Sequence, residues 1–136
     1  MYFRLSVSPH QVAVIPYSSG TTGLPKGVQL SQRNLVANMA QCDHPAIEYL
    51  GTDEVTVCVL PLFHILAING TMSNMLWRGG KLVTLPRFDP ALFLSAVATF
   101  RPTFLHLAPP LVQFLANHPA VTQHHLASLH TGGSNI

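Results

Sequence analysis

Ser18-Ser19-Gly20-Thr21-Thr22-Gly23-Leu24-Pro25-Lys26-Gly27 concentrates four hydroxyls, three glycines and one lysine between two apolar segments. These residue types handle phosphate. Glycines let backbone N–H groups approach an anion closely, the Ser and Thr hydroxyls add donors, and Lys26 adds a mobile positive charge. The ligand they predict is a nucleoside triphosphate. A Walker-type loop is excluded, because it needs Gly-Lys followed by Ser or Thr at the tip of a helix. Here Lys26 stands between Pro25 and Gly27, and Val28-Gln29-Leu30 reads as a short strand before any helix begins. Hydroxyls and backbone amides must therefore cradle the anion, with Pro25 limiting how far the loop collapses. The competing reading is a flexible Gly/Ser/Thr linker. Lys26 and the flanking apolar strands argue against it.

His64 is the second candidate. It follows an apolar run ending at Pro61 and opens the next helical pattern, where a side chain leaves a sheet and faces the crevice at strand C-terminal ends. A core histidine with one satisfied hydrogen bond is the alternative. His118, His124, His125 and His130 form a cluster in sequence, but no carboxylate or cysteine stands at ligand spacing, so no metal site is assigned. Cys42 and Cys58 are too few and too far apart for a disulfide framework or a CxxC site and receive no catalytic role.

The elements that position these residues alternate between apolar runs and helical patterns, as in an α/β fold with a mostly parallel sheet and crossover helices. Strands are expected at Val12–Ile15, Val55–Leu60, Lys81–Leu85, Thr103–Leu107 and Ser128–Thr131. Their continuous rather than alternating hydrophobicity implies cover on both faces. Ser31 caps a helix with Leu35, Val36, Met39 and Cys42 on one face. A helix over Ile65–Trp77 contains Gly70, at a cost of roughly 1 kcal/mol against alanine. Asp89-Pro90 starts a helix whose buried stripe is Phe93, Ala96, Val97 and Phe100. Pro109-Pro110 opens a short helix through Leu111, Phe114 and Leu115, and Ala116–Ala127 reads as a loop.

The chain of 136 residues is 48% hydrophobic and only 9% charged, where a soluble domain carries about 25% charged residues. Either a membrane or further protein must cover part of such a surface. The second is favoured, because the best apolar stretch, Val55 to Trp77, is broken by Pro61, His64, Asn69, Gly70 and Asn74, so no membrane span is expected. The N-terminus lacks the pattern of a secretory signal, which points to an intracellular protein. The formal net charge of +2 is scattered and leaves no nucleic-acid footprint.

Tyr17 to Gly27, YSSGTTGLPKG, resembles the AMP-binding signature of the adenylate-forming superfamily, with the nearest likeness to 4-coumarate–CoA ligases, firefly luciferases and related acyl-CoA synthetases. Pro61-Leu62-Phe63-His64-Ile65, Pro86-Arg87-Phe88-Asp89 and Thr131-Gly132-Gly133-Ser134 follow as further landmarks in the family's order. The resemblance implies a piece of the large N-terminal domain of an acyl-CoA synthetase-like fold. On that reading residues 1–136 are part of one adenylation domain, truncated at both ends and without the small C-terminal domain.

The implied activity is a two-step ligation: a carboxylic acid attacks Mg2+-bound ATP to give an acyl-adenylate, which the thiol of coenzyme A then captures. Ser18, Ser19, Gly20, Thr21, Thr22, Gly23, Lys26 and Gly27 would hold the phosphates, with Lys26 and His64 as the catalytic pair and His64 beside the acyl carboxylate. Leu66 and Gly70 would line the acyl pocket. They replace a tyrosine and a small hydroxyl residue of the plant enzymes, so they remove hydrogen-bonding capacity, add space and predict a larger or less polar acid. Arg87 would contact coenzyme A, although a solvated surface arginine is the alternative, and Gly132 and Gly133 would admit close backbone approach to the adenylate. The family places such proteins in the cytoplasm or the peroxisome. A luciferase-like oxygenase and a nucleotide-binding module without catalysis remain as the other readings.

Overall fold

The computed structural model describes residues 7–19, 23–44 and 51–129. Two antiparallel ladders form the N-terminal part. Strand β1 (Val12–Val14) pairs with β4 (Leu30–Ser31), and β2 (Tyr17–Ser18) pairs with β3 (Lys26–Gly27). The two ladders belong to one hairpin, interrupted where Pro16 has no N–H to offer and bridged there by Val28 N–H donating to Pro16 O at 2.9 Å. The hairpin therefore carries the hydroxyl-rich loop at its tip. Ser31 then caps α1 (Gln32–Cys42): Asn34 N–H donates to its hydroxyl at 3.3 Å while Asn34 Oδ1 accepts from the Ser31 amide at 2.9 Å.

The parallel part is β5 (Val55–Cys58) beside β6 (Lys81–Thr84), in register from Val55↔Lys81 to Cys58↔Thr84. They are joined by a crossover helix, first a wide π-type stretch, Leu66–Ser73, then α2 (Asn74–Arg78), which stops at Gly79 with φ +75°. On the other face lies α3 (Pro90–Phe100), where Leu92 N–H donates to the Asp89 carboxylate at 2.8 Å and Pro90 takes the first turn. Phe93, Leu94, Ala96 and Val97 of α3 close with Val57 and Leu105 into the main core. Met75, Phe104 and the half-buried Leu82 pack under the crossover helix. The β5–β6 pair is thus covered on both faces, as its unbroken hydrophobicity predicts, and the architecture is α/β.

Three expectations change. Thr103–Leu107 is not a strand. Thr103 N–H donates to Val55 O at 2.8 Å, but its hydroxyl accepts the Val55 N–H at 3.0 Å and donates to Glu54, so a side chain takes the place of the next ladder bond. Ala116–Ala127 is not one loop, because α4 (Pro109–Asn117) is followed by the short α5 (Gln123–Leu126), started by a reciprocal pair between Thr122 and His125. Ser128 ends a turn and Leu129 is irregular in place of the strand expected from Ser128, and the Ser128 hydroxyl donates to Pro102 O at 2.7 Å; the remainder of that expected strand lies outside the described residues. Two apolar stripes are also less buried than their spacing suggests, with Val36 of α1 and Phe100 of α3 exposed.

Among the described residues no helix is long and apolar enough to cross a membrane. Phe63, Leu24, Tyr17 and Trp77 are between 62% and 81% exposed, so much of the surface left free by the low proportion of charged residues is apolar.

Candidate functional site

Antiparallel pairing of β2 with β3 sets Ser18 opposite Lys26 and Tyr17 opposite Gly27 at the base of the loop. Gly27 has a packing reason: a Cβ there would stand 3.0 Å from Ile15 Cγ2, inside the contact distance of methyl groups. Gly23 adopts φ +87°, the left-handed region that a side chain would disfavour, so it turns the loop. Gly20, Thr21, Thr22, Gly132 and Gly133 lie outside the described residues.

His64 arrives at the same place from the other end of the fold. After β5 the chain turns at Pro61, whose carbonyl accepts from His64 N–H at 2.9 Å, and then enters the crossover helix. Leu66 N–H donates to His64 Nδ1 at 3.2 Å, so the imidazole serves the helix start much as an Asn or Ser cap would. The exposed ring lines a cleft of about 440 Å³ whose other walls include Tyr17, Ser18, Ser19, Val28 and Ile65. Residues 45 positions apart in the chain, Ser19 and His64, thereby share one cavity. Lys26 and Gly27 are exposed on the neighbouring strand and are not among the residues lining this cleft.

An apolar recess of about 350 Å³ adjoins it, bounded by Val14, Ile15, Pro16, Tyr17, Phe63 and Ile68. Pro16 and Tyr17 belong to both. Both are walled mainly by apolar side chains, and the polar groups of the first cleft are concentrated at Ser18, Ser19 and His64, which suits a ligand with a polar head and an apolar body.

Arg87 is elsewhere. It borders a cleft of about 430 Å³ at the C-terminal ends of β5 and β6, together with Cys58, Phe63, Thr84 and Phe88. Burial pushes the Cys58 thiol up from its ordinary value, a shift opposed by its contact with Leu60 O at 3.5 Å. Leu66 and Gly70 line neither cleft, and the space that Gly70 leaves is filled by Leu66 itself: a methyl added at residue 70 would fall 2.8 Å from Leu66 Cδ1. The room expected at this pair is therefore occupied.

Residues to which the sequence assigned no role complete the site's support. Tyr17 and Ile65 flank the cleft. The buried Asn69 reaches α1, donating from Nδ2 to Asn38 Oδ1 at 2.6 Å. Arg78, just before Gly79, donates to the last carbonyl of α1, Cys42 O, at 3.0 Å and pairs with Asp43 at 3.1 Å. His124 and His125 occupy α5, and among the described residues no group of three or more His, Cys, Asp or Glu is placed to hold a metal ion.

Comparison with known proteins gives this geometry a family. Over 129 residues the chain is 39% identical to 4-coumarate–CoA ligase 2 of Oryza sativa subsp. japonica, covering 93% of the chain and 22% of that protein. ATP-bound MatB from Rhodopseudomonas palustris superposes with a TM-score of 0.83 at 27% identity, over 97% of this chain and 25% of that one. The red-emitting luciferase of Phrixothrix hirtus gives 0.79 at 28% identity, over 92% and 31%. The chain thus spans about a quarter of the length of the curated relatives it matches, and its α/β fold is an incomplete piece of an acyl-CoA synthetase-like N-terminal domain. The family model described as "AMP-binding enzyme" matches residues 4–136, and the chain belongs to this adenylate-forming family.

Proposed function

We propose that the chain supplies the phosphate loop and the adjoining carboxylate wall of an ATP-dependent carboxylic acid–CoA ligase. The observation that carries this reading is the shared cleft, in which the Ser18 and Ser19 side of the loop faces His64. Adenylation needs a triphosphate and a carboxylate held side by side, and these residues offer donors to both. As the bond to the α-phosphorus breaks, charge builds on the departing diphosphate. Lys26, on the strand opposite Ser18, is the mobile cation that meets it. Mg2+ would arrive with the triphosphate it neutralises, held next to the loop hydroxyls, and would supply charge neutralisation there. The adjoining recess of Ile15, Phe63 and Ile68 favours an acid with an apolar body. Arg87, on its separate cleft, is the candidate contact for a phosphate of coenzyme A.

The test is acid-dependent exchange of pyrophosphate into ATP by the complete protein that carries this chain. A charge-assisted bond from Lys26 is worth about 1.5 to 3 kcal/mol, so Lys26→Ala should slow exchange roughly 10- to 100-fold. An unchanged exchange rate would refute the role of Lys26. ATP binding with no acid-dependent exchange would instead identify a non-catalytic nucleotide-binding module.

A further inference from the structure

We infer that Tyr17 is a specificity-determining residue for the acid, its ring forming the wall between the space for the polar head and the space for the apolar body. The inference rests on the proposed ligase reading, in which the His64 cleft and the adjoining recess receive the acid, and it names the side chain that limits the acid's breadth.

Pro16 and Tyr17 are the two residues that border both cavities. The Pro16 ring is short and locked to its own backbone, so the side chain that fills the boundary is the Tyr17 phenol. Tyr17 is 74% exposed. A ring with open space on either side is exposed in this way.

The position of the ring is nevertheless set by its own ladder. Tyr17 stands directly opposite Gly27, and its ring lies against that glycine: a Cβ built at residue 27 would be 3.8 Å from Tyr17 Cε1 and 3.9 Å from Cζ. An aromatic side chain packed over a cross-strand glycine covers bare backbone and is steadied by it. The same Cβ would stand 3.0 Å from Ile15 Cγ2, so Gly27, which lines neither cavity, leaves room for two residues that line the recess. The Tyr17 hydroxyl has no hydrogen-bond partner among the described residues, so the ladder and the contact with Gly27 place the ring. The breadth of the ring, rather than its polar atom, therefore decides how much room the acid has where its head joins its body.

The test compares unbranched octanoate with the bulkier diphenylacetate in the complete protein that carries this chain. Two quantities are measured for each acid: kcat/KM in acid-dependent pyrophosphate exchange, and affinity by calorimetry in the presence of a non-hydrolysable ATP analogue. Tyr17→Ala should raise the preference for diphenylacetate over octanoate roughly 10-fold or more, within the range that one altered pocket wall brings. Tyr17→Trp should lower that preference, and Tyr17→Phe, which keeps the ring, should follow the parent. Opposite signs in the Ala and Trp variants separate a wall from a damaged fold, which would weaken both acids alike. The inference is overturned by a preference unmoved in both variants, by shifts of the same sign, or by Tyr17→Phe behaving like Tyr17→Ala. Exchange whose acid preference ignores Tyr17 would reject this inference alone. Acid binding that follows Tyr17 without any exchange would reject the ligase reading alone, and neither binding nor exchange would reject both.

Discussion

Asn69 Nδ2 donates to Asn38 Oδ1 across 2.6 Å, tying the wide turn of the crossover helix to α1. The same nitrogen has only a long second acceptor, Leu35 O at 3.5 Å, and the side chain is buried with its Oδ1 unpaired. Removing the exposed partner should therefore hurt more than its exposure suggests. Asn38→Ala is expected to cost about 1 to 3 kcal/mol, the desolvation cost of a buried donor left without a good acceptor. Asn69→Leu removes the buried polar group altogether and should cost less. Urea denaturation of both variants decides it; an Asn38→Ala protein within about 0.5 kcal/mol of the parent, the range of ordinary surface substitutions, would contradict the account.

Two glycines flanking α2 should respond differently to a methyl group. At Gly80 the added carbon would meet Met75 Cε at 2.5 Å and the backbone carbonyl of Glu54 at 3.0 Å, and the backbone cannot yield cheaply. Gly80→Ala is expected to cost roughly 1 to 3 kcal/mol through overpacking. At Gly70 the obstacle is the tip of Leu66, which can be pushed about 30° off its rotamer for about 0.5 to 1.5 kcal/mol. Helix propensity returns about 1 kcal/mol there, so Gly70→Ala should be close to neutral. Thermal melts that rank the two in the opposite order would show that the Leu66–Gly70 contact is stiffer than its geometry implies.

Cys58 should behave as a slow thiol. Burial favours its neutral form, so at pH 7 to 8 the folded chain holds less thiolate than an exposed cysteine would. Iodoacetamide labelling of the Cys58 peptide, followed by mass spectrometry, should lag far behind the same peptide in urea. The linked stability effect has a definite sign. Because the folded value is raised, the contribution is complete below the unfolded thiol value of about 8.5 and is lost as pH rises through the folded one. Equal labelling rates in folded and unfolded chain would rule this out.

The parts legible in the sequence are those whose signals are local. Asp89-Pro90 announces α3 because a capping carboxylate and a proline act within one turn. Val55–Cys58 lies in a run of β-branched and apolar residues and is a strand covered on both faces. His64 reaches the cleft because the turn at Pro61, soon after that strand, brings it there. Thr103–Leu107 misleads because its apolar spacing says nothing of a threonine hydroxyl taking a ladder position. The short α5 is hidden by an unusual cap, with His125 where Glu or Gln normally stands. No local rule could pair Thr71 with His106, which are 35 residues apart, or reveal that Leu66 fills the space Gly70 opens.

A wide turn such as Leu66–Ser73 accommodates roughly one more residue than an α-helical turn over the same path. Aligning this stretch without a gap against a strictly α-helical counterpart would put the positions following the widening out of phase by about 100° around the helix axis. Equivalences for Leu66 or Gly70 drawn from such a string match carry that ambiguity; counted back from Asn74, where regular α2 begins, they acquire a structural origin.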